Sequence, residues 1–127
     1  MDQYHRPHDK KVGSGTGGKN RKARDKRLAH IGGVFTATKV SEKDSRVKRR
    51  RRGGTSSVKL KKASTINVIT KEGTKKAKIM RVIEGPNKEH VRMNIITRGA
   101  VVETDIGKAK VTNRVGQDGV INGVLVS

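Results

Sequence analysis

Short runs of β-branched residues, separated by glycines, fill the second half of the chain and constrain its fold more than any other feature. Residues 63–127 contain 19 Val, Ile and Leu, of which only Leu125 is not β-branched, whereas residues 1–62 contain 8. β-Branched side chains favour extended backbone, and glycines between such runs favour turns. The pattern therefore predicts an all-β barrel or sandwich and argues against βαβ units.

Alternation of apolar and polar residues predicts the individual strands. Half-buried strands, or strands covered on both sides, are predicted at residues 34–40, 57–63, 64–70, 75–85, 89–97, 99–108, 108–113 and 119–127. In the second of these segments Val58 and Leu60 fall on one side, and Lys59 and Lys61 fall on the other. We therefore expect a sheet with one cationic face.

The charge of the chain indicates the chemistry of its partner. Lys and Arg number 31 and Asp and Glu number 11, which gives a formal net charge of +20. A compact monomer with this charge repels itself unless a polyanion or counterions neutralise it, so nucleic acid is the expected partner. Tyr4 and Phe35 are the only Phe, Trp or Tyr residues, so bases cannot stack on several aromatic side chains. Binding is expected to depend on phosphate charge, arginine and shape.

The absence of cysteine excludes a disulfide framework, thiolate metal sites and zinc ribbons, and it fits a reducing intracellular compartment. Residues 1–11 contain no apolar segment of the signal-peptide kind. No apolar run approaches the roughly 20 residues that a membrane-spanning helix requires. We therefore expect neither secretion nor insertion into a membrane, and no membrane partner.

Two regions with different roles are predicted: residues 1–33 as a basic N-terminal extension and residues 34–127 as the β-rich domain. Within the extension, NRKARDKRLAH at 20–30 is the one segment predicted to be helical. It is basic nearly all round, and Leu28 is its only large apolar residue, so it has little to bury. With the flexible GSGTGG segment at 13–18, this predicts a mostly unstructured arm, containing at most a short helix, that orders on RNA.

The sequence VKRRRRGGT, residues 47–55, contains five consecutive cations before two glycines. Such a run is typical of a solvated face or of a nuclear address. This run, however, lies between two predicted strands, and Gly53 and Gly54 favour a hairpin turn. A strand with cations on both faces cannot lie inside a sandwich without burying unpaired charge. We therefore predict an edge strand or hairpin arm that projects outward and binds phosphates.

Metal binding and nucleotide binding are not indicated near the N-terminus. The segment HRPHD supplies His5 and His8, but it offers no preorganised third or fourth ligand. GSGTGGK at 13–19 lacks the spacing of a phosphate-binding loop, the Ser or Thr after the lysine, and a preceding apolar strand. No metal, cofactor or small-molecule substrate is therefore expected.

Catalysis is not indicated either. Glu103 and Asp105 are the only close pair of carboxylates among the apolar strands, and no His or Cys follows nearby to complete a site. We interpret them as surface carboxylates that pair with Lys108 or Arg114, or that stabilise the fold against its own positive charge. The chain is therefore not expected to be an enzyme.

Several motifs are those of a known family. Residues 94–127, NIITRGAVVETDIGKAKVTNRVGQDGVINGVLVS, contain N-I-I-T-R-G-A, then E-T-D-I-G-K-A, then V-T and G-Q-D-G. T-G-G-K opens a basic arm over residues 16–27, and R-G-G stands at 52–54. In these motifs the chain resembles the S8e family of small-subunit ribosomal proteins of archaea and eukaryotes, and its short length resembles the archaeal branch. It departs from the family at Lys48 to Arg52, where valine commonly alternates with arginine.

The resemblance implies a small antiparallel β-barrel that docks on small-subunit rRNA, with basic extensions threaded along RNA helices. It implies a structural component of the small ribosomal subunit in the cytoplasm, whose partners are rRNA and neighbouring ribosomal proteins. An obligate homo-oligomer is not expected. The alternative is a ribosome-assembly factor with a related domain, although such chains are much longer.

The residues expected to contact RNA are the cations of the arm, the basic run with its two glycines, and cations of later strands and loops. They are Lys19, Arg21, Lys22, Arg24, Lys26, Arg27, Lys48, Arg49, Arg50, Arg51, Arg52, Gly53, Gly54, Lys59, Lys61, Lys62, Arg98 and Arg114.

Overall fold

The computed structural model describes residues 3–4, 11–12, 18–19 and 31–126. It divides the chain into two compact units, Met1–Phe35 and Thr36–Ser127. In the first unit the described residues form four two-residue strands: β1 (Gln3–Tyr4), β2 (Lys11–Val12), β3 (Gly18–Lys19) and β4 (Ile31–Gly32). β1 pairs with β4 and β2 pairs with β3, both antiparallel. The segment predicted to be helical, residues 20–30, lies outside the described residues.

Most of the regular structure of the second unit is strand, which confirms the predicted all-β fold class. Its strands are β5 (Thr38–Val40), β6 (Ser45–Arg50), β7 (Ser56–Ala63), β8 (Thr65–Thr70), β9 (Gly73–Glu84), β10 (Ile95–Ile96), β11 (Val101–Thr104), β12 (Lys108–Val111) and β13 (Asn122–Leu125). Its two short α-helices are α1 (Lys88–Arg92) and α2 (Val115–Asp118), and Arg52–Gly54 form a single 3-10 turn. No helix within the described part of the chain is long and apolar enough to span a bilayer.

The nine strands form a closed barrel and a separate four-stranded sheet. The barrel has the order β11-β12-β13-β8-β9, and the sheet has the order β10-β5-β7-β6. Four of the five barrel pairs are antiparallel as predicted, whereas β13 pairs with β8 in parallel. Only Ser64 separates β7 from β8, so the sheet is joined to the barrel at the end where β8 begins.

The barrel interior follows from the alternation of its strands. Ile66 and Val68 of β8, Val102 of β11 and Val111 of β12 point inward and are at most 1% exposed. They belong to one hydrophobic cluster that also includes Leu60 of β7. Because burial of such side chains stabilises by roughly 1.5–3 kcal/mol each, this cluster is the main source of stability of the second unit.

One inward position of the barrel is occupied by a glycine because there is no room for a side chain. A Cβ atom at Gly123 of β13 would lie 2.9 Å from the Cδ1 atom of Ile66 and 2.9 Å from the carbonyl oxygen of Lys110. The first of these atoms belongs to the core, and the second belongs to the neighbouring strand β12. Glycine at position 123 therefore lets β13 approach Ile66 and β12 more closely than a residue with a side chain would allow.

The strand predicted at residues 89–97 is wrong over most of its length. Residues Lys88–Arg92 form α1, and only Ile95–Ile96 are extended. The Asn87 side chain caps the helix by accepting a hydrogen bond from the backbone N–H of Glu89 (2.9 Å). Val91 and Ile95 are four residues apart, a spacing that fits one helical face as well as a strand, so the alternation was ambiguous. α1 and α2 are also helices that the sequence did not predict.

Candidate nucleic-acid interface

The predicted basic hairpin is present, and it lies at the edge of the four-stranded sheet. β6 pairs with β7 in antiparallel register, from Arg46 opposite Leu60 to Arg50 opposite Ser56. β6 has no neighbour on its other side within the described sheet. An edge position lets the strand expose cations on both faces, which a central strand could not do. The prediction of an edge strand is therefore confirmed. We call β6, β7 and the turn between them the basic hairpin.

The turn of the hairpin depends on its two glycines. The backbone N–H of Arg51 donates to the carbonyl oxygen of Thr55 (2.7 Å), which closes the turn. Between them Gly53 and Gly54 have φ angles of 78° and 77°. This left-handed conformation is easily reached by glycine and costs other residues roughly 1–2 kcal/mol. A Cβ atom at either glycine would meet nothing within 4 Å, so the requirement comes from the backbone alone.

No salt bridge to a described residue is formed by the four cations from Lys48 to Arg51, which lie at the end of β6 and in the turn. Lys48, Arg49, Arg50 and Arg51 are all exposed. The three salt bridges among the described residues involve other cations, Arg46, Lys75 and Arg81. Four adjacent unpaired charges repel one another and attract a polyanion.

The register of the hairpin also confirms a cationic outer face. Leu60 is 1% exposed and points into the core, whereas its neighbours Lys59 and Lys61 are not buried. A bulge leaves Lys61 unpaired, because Arg46 pairs with Leu60 and Ser45 pairs with Lys62. Lys62 also pairs with Lys39 of β5 and is exposed. The outer face therefore extends across the sheet, from the hairpin to β5.

Arg98 and Arg114 lie at the same end of the barrel strand β12. Arg98 precedes Gly99, whose backbone N–H donates to the carbonyl oxygen of Val111 (2.8 Å). Arg114 follows three residues after Val111, and both arginine side chains are exposed. The cations of the predicted arm are placed differently: Lys19 lies in β3, and Arg21, Lys22, Arg24, Lys26 and Arg27 lie outside the described residues.

Arg46, at the start of the hairpin, has a structural role that the sequence did not reveal. Its Nη2 atom donates to Oδ2 of Asp44 (3.0 Å), and its Nε atom donates to the carbonyl oxygen of Gly119 (2.9 Å). The other oxygen of Asp44, Oδ1, accepts from the backbone N–H and the hydroxyl of Ser64, both at 2.8 Å. Asp44 therefore joins the hairpin to the residue that links the sheet to the barrel.

The environment of Asp44 favours its charged form. Partial burial raises the pKa of Asp44, but the hydrogen bonds from Ser64 and the adjacent Arg46 guanidinium together lower it more, so the pKa lies below its ordinary value of 3.8. A carboxyl with a depressed pKa in the folded state stabilises the fold above its unfolded pKa. This contribution is lost as the pH falls through the folded pKa.

Replacing Asp44 by alanine is expected to lower the free energy of unfolding by about 1 kcal/mol at neutral pH, because the Ser64 N–H and Arg46 lose a charged acceptor. The difference from the wild type should shrink as the pH falls below 3.8, where the wild-type carboxyl is itself protonated. Thermal unfolding over a pH series measures both effects. Glu42→Ala, in the same loop but without a hydrogen bond to a described residue, is the control. A pH-independent difference for Asp44→Ala would contradict the assignment.

A recess of about 240 Å³ lies beside Arg46, where the sheet meets the barrel. Its apolar part comes from Leu60, Val120 and Ile121. Its polar part includes Arg46, Asn67 of β8 and Lys76 of β9. Asn67 and Lys76 are direct partners in the β8–β9 register. Only the packing of distant segments creates this recess, so no sequence pattern indicated it.

Glu103 and Asp105 have structural partners other than Lys108 and Arg114, and these contacts fit carboxylates that stabilise the fold against its positive charge. Glu103 accepts from Nε of Arg81 (2.6 Å). Asp105 accepts from the backbone N–H of Lys78 (3.1 Å) through Oδ1. Neither carboxylate forms a salt bridge with Lys108 or Arg114, although Glu103 lies directly opposite Lys108 in the register of β11 and β12. Among the described residues, no group of three or more His, Cys, Asp or Glu could hold a metal ion, and His5 and His8 lie outside them.

Comparison with known proteins gives consistent matches. The family described as ribosomal protein S8e matches residues 7–126. Small ribosomal subunit protein eS8 of Sulfolobus acidocaldarius is 46% identical over 114 residues, which cover 87% of this chain and 89% of that protein. The protein of the same name from Saccharolobus islandicus is 46% identical over 129 residues, which cover 99% of this chain and 95% of that protein. The similarity therefore includes both the N-terminal region and the β domain.

Proposed function

Because the chain belongs to the ribosomal protein S8e family, we propose that it is a structural component of the small ribosomal subunit and that it binds rRNA through the basic hairpin. Residues 1–33 act as a basic extension and residues 34–127 as the rRNA-binding domain. Its partners are rRNA and neighbouring ribosomal proteins of the cytoplasmic ribosome. It acts by binding and not by catalysis.

The observation that supports this function most directly is the unpaired charge of the hairpin. Lys48 to Arg51 are exposed, adjacent, and without an acidic partner among the described residues. Arginine offers a planar fork that fits two phosphate oxygens at once. The strand has an open edge, so a phosphate backbone can approach it without displacing another strand. Such contacts fix position on RNA and do not read base identity.

Further cations extend the contact beyond the hairpin. Lys59, Lys61 and Lys62 lie on the second strand of the hairpin, and Arg98 and Arg114 lie at one end of the barrel. In the extension, Lys19, Arg21, Lys22, Arg24, Lys26 and Arg27 supply a dense series of charges suited to a segment that orders on RNA. The two glycines of the turn, Gly53 and Gly54, let the backbone itself approach a groove. Together these groups account for much of the excess charge of the chain.

The length of the relatives favours a subunit component over the longer assembly factors. The matched regions cover 89% and 95% of the two curated proteins, whose names are those of subunit components. Sedimentation separates the two roles. A subunit component stays in mature small subunits at stoichiometric level after a salt wash, whereas an assembly factor leaves with the precursors.

Affinity for small-subunit rRNA is expected to depend steeply on salt. If about six to ten phosphates are neutralised, the association constant should fall by roughly a thousandfold or more between 50 and 200 mM salt. Equilibrium binding of the protein to small-subunit rRNA over a salt series measures the slope. An association constant that is nearly independent of salt concentration would contradict phosphate binding.

A further inference from the structure

The recess beside Arg46 has the groups needed to bind a planar, polar ring. Its volume of about 240 Å³ is many times the roughly 10–15 Å³ that a single water requires, and it is below the usual range of about 300–1,000 Å³ for drug-sized ligands. Val120, which is 40% exposed, supplies accessible apolar surface to the recess, whereas Leu60 and Ile121 are almost completely buried. The recess therefore suits one ring system and not a large ligand.

Arg46 presents a fixed planar surface at this recess. Its guanidinium is held by two hydrogen bonds, from Nη2 to Asp44 and from Nε to the carbonyl oxygen of Gly119. Its side chain nevertheless remains 46% exposed. Unstacked RNA bases commonly pack on arginine guanidinium planes as well as on aromatic rings. Because the chain contains so few aromatic residues, an immobilised arginine is the available stacking surface.

Asn67 supplies hydrogen-bonding groups in the same recess. Its Nδ2 atom donates to Oδ1 of Asn122 (3.1 Å). An amide side chain has two N–H donors and one carbonyl acceptor, so one donor and the carbonyl oxygen have no partner among the described residues. A donor next to an acceptor matches the hydrogen-bonding edge of a nucleobase. Lys76, the strand partner of Asn67, makes no ion pair with a described residue, so its charge is available to the phosphate of the same nucleotide.

The recess is continuous with the basic hairpin. Arg46 and Arg49 belong to the same strand, and a strand rises about 3.3 Å per residue, so the two lie roughly 10 Å apart along β6. An RNA strand whose phosphates follow β6 therefore reaches the recess within a few nucleotides. We propose that the recess binds one unstacked base of the bound rRNA, with the base against Arg46 and its hydrogen-bonding edge on Asn67. This inference rests on the proposed rRNA binding and adds base recognition to it.

The test compares two variants that break the same internal hydrogen bond. Asn67→Leu removes the polar group from the recess, and Asn122→Leu removes only the partner of Asn67, since Asn122 does not line the recess. Binding of each variant to small-subunit rRNA is measured over a salt series, together with its thermal stability. Asn67→Leu is expected to weaken binding by roughly tenfold to a hundredfold. Its salt slope should equal that of the wild type, because no charge is lost.

The outcomes separate this inference from the proposed function. If Asn67→Leu binds rRNA as tightly as the wild type, or if both variants lose the same affinity, the base site is overturned and phosphate binding is unaffected. A wild-type protein that does not bind rRNA would instead overturn the proposed function. Probing of the wild-type complex with dimethyl sulfate, which modifies A and C, and with a carbodiimide, which modifies G and U, decides the question even if a variant does not fold. One single-stranded base protected at its Watson–Crick edge is expected beside the hairpin footprint, and the absence of any such base would reject the site.

Discussion

Replacing Arg49, Arg50 and Arg51 together by serine is expected to lower the affinity for small-subunit rRNA by roughly a hundredfold at physiological salt. The slope of log K against log salt should become shallower by about 2.7, since each lost phosphate contact removes about 0.9. The three side chains are exposed and form no salt bridge with a described residue. Thermal stability should therefore stay within about 0.5 kcal/mol of the wild type. Filter binding over a salt series and thermal unfolding measure the two quantities.

A charge-matched control shows whether position matters as well as total charge. Lys71, Lys108 and Lys110 are exposed on the barrel, away from the hairpin, and their replacement by serine removes the same three charges. We expect this variant to lose far less affinity, because only the general field of the protein is weakened. Equal losses in the two variants would show that rRNA responds to net charge alone. An unchanged slope in the hairpin variant would show that the hairpin does not contact phosphate.

Gly123→Val is expected to lower the free energy of unfolding of the second unit by about 3 kcal/mol, near the upper end for overpacking. The new Cβ atom would lie 2.9 Å from the Cδ1 atom of Ile66 and from the carbonyl oxygen of Lys110. Ile66 is a fully buried core residue, and the carbonyl belongs to the backbone of β12, which cannot move aside cheaply. For a domain of this size, each 1 kcal/mol corresponds to a fall in Tm of about 4–8 °C.

Gly54→Val separates this steric effect from backbone strain. Gly54 has a φ angle of 77°, but a Cβ atom there would meet nothing within 4 Å. Valine at this position should cost about 1–2 kcal/mol through its left-handed conformation, and it should impair rRNA binding because the hairpin turn is altered. Thermal unfolding of both variants provides the comparison. A Gly123→Val protein as stable as Gly54→Val would contradict the close approach of β13 to the core.

The strands that the sequence predicts best are those whose pattern is fixed by burial on one face. In β9, Ala77 and Ile79 alternate with exposed lysines, and both apolar side chains are buried in the barrel. The edge position of β6 was also predictable, because a run of cations on both faces can be accommodated only where no strand lies beside it. Composition and local pattern were sufficient in both cases.

The features that escaped prediction depend on contacts between distant residues. Asp44 binds Ser64, 20 residues later, and Arg46 binds the Gly119 carbonyl, 73 residues later. Neither contact is associated with a periodic pattern of residues in the sequence. The helix α1 escaped for a different reason: Val91 and Ile95 satisfy a helical spacing and a strand spacing at once. The recess beside Arg46 is formed by segments that meet only in the folded domain.

The parallel pairing of β13 with β8 determines when the barrel can close during synthesis. Asn122 lies opposite Asn67, 55 residues earlier in the chain. The hairpin of β6 and β7, in contrast, joins neighbouring segments and needs only a short loop. On a chain that emerges from its N-terminus, the cationic surface can therefore form and engage RNA while β8 still has an open edge. RNA bound at that stage would be bound to a nascent chain in which β13 has not yet paired with β8, so that the barrel is still open.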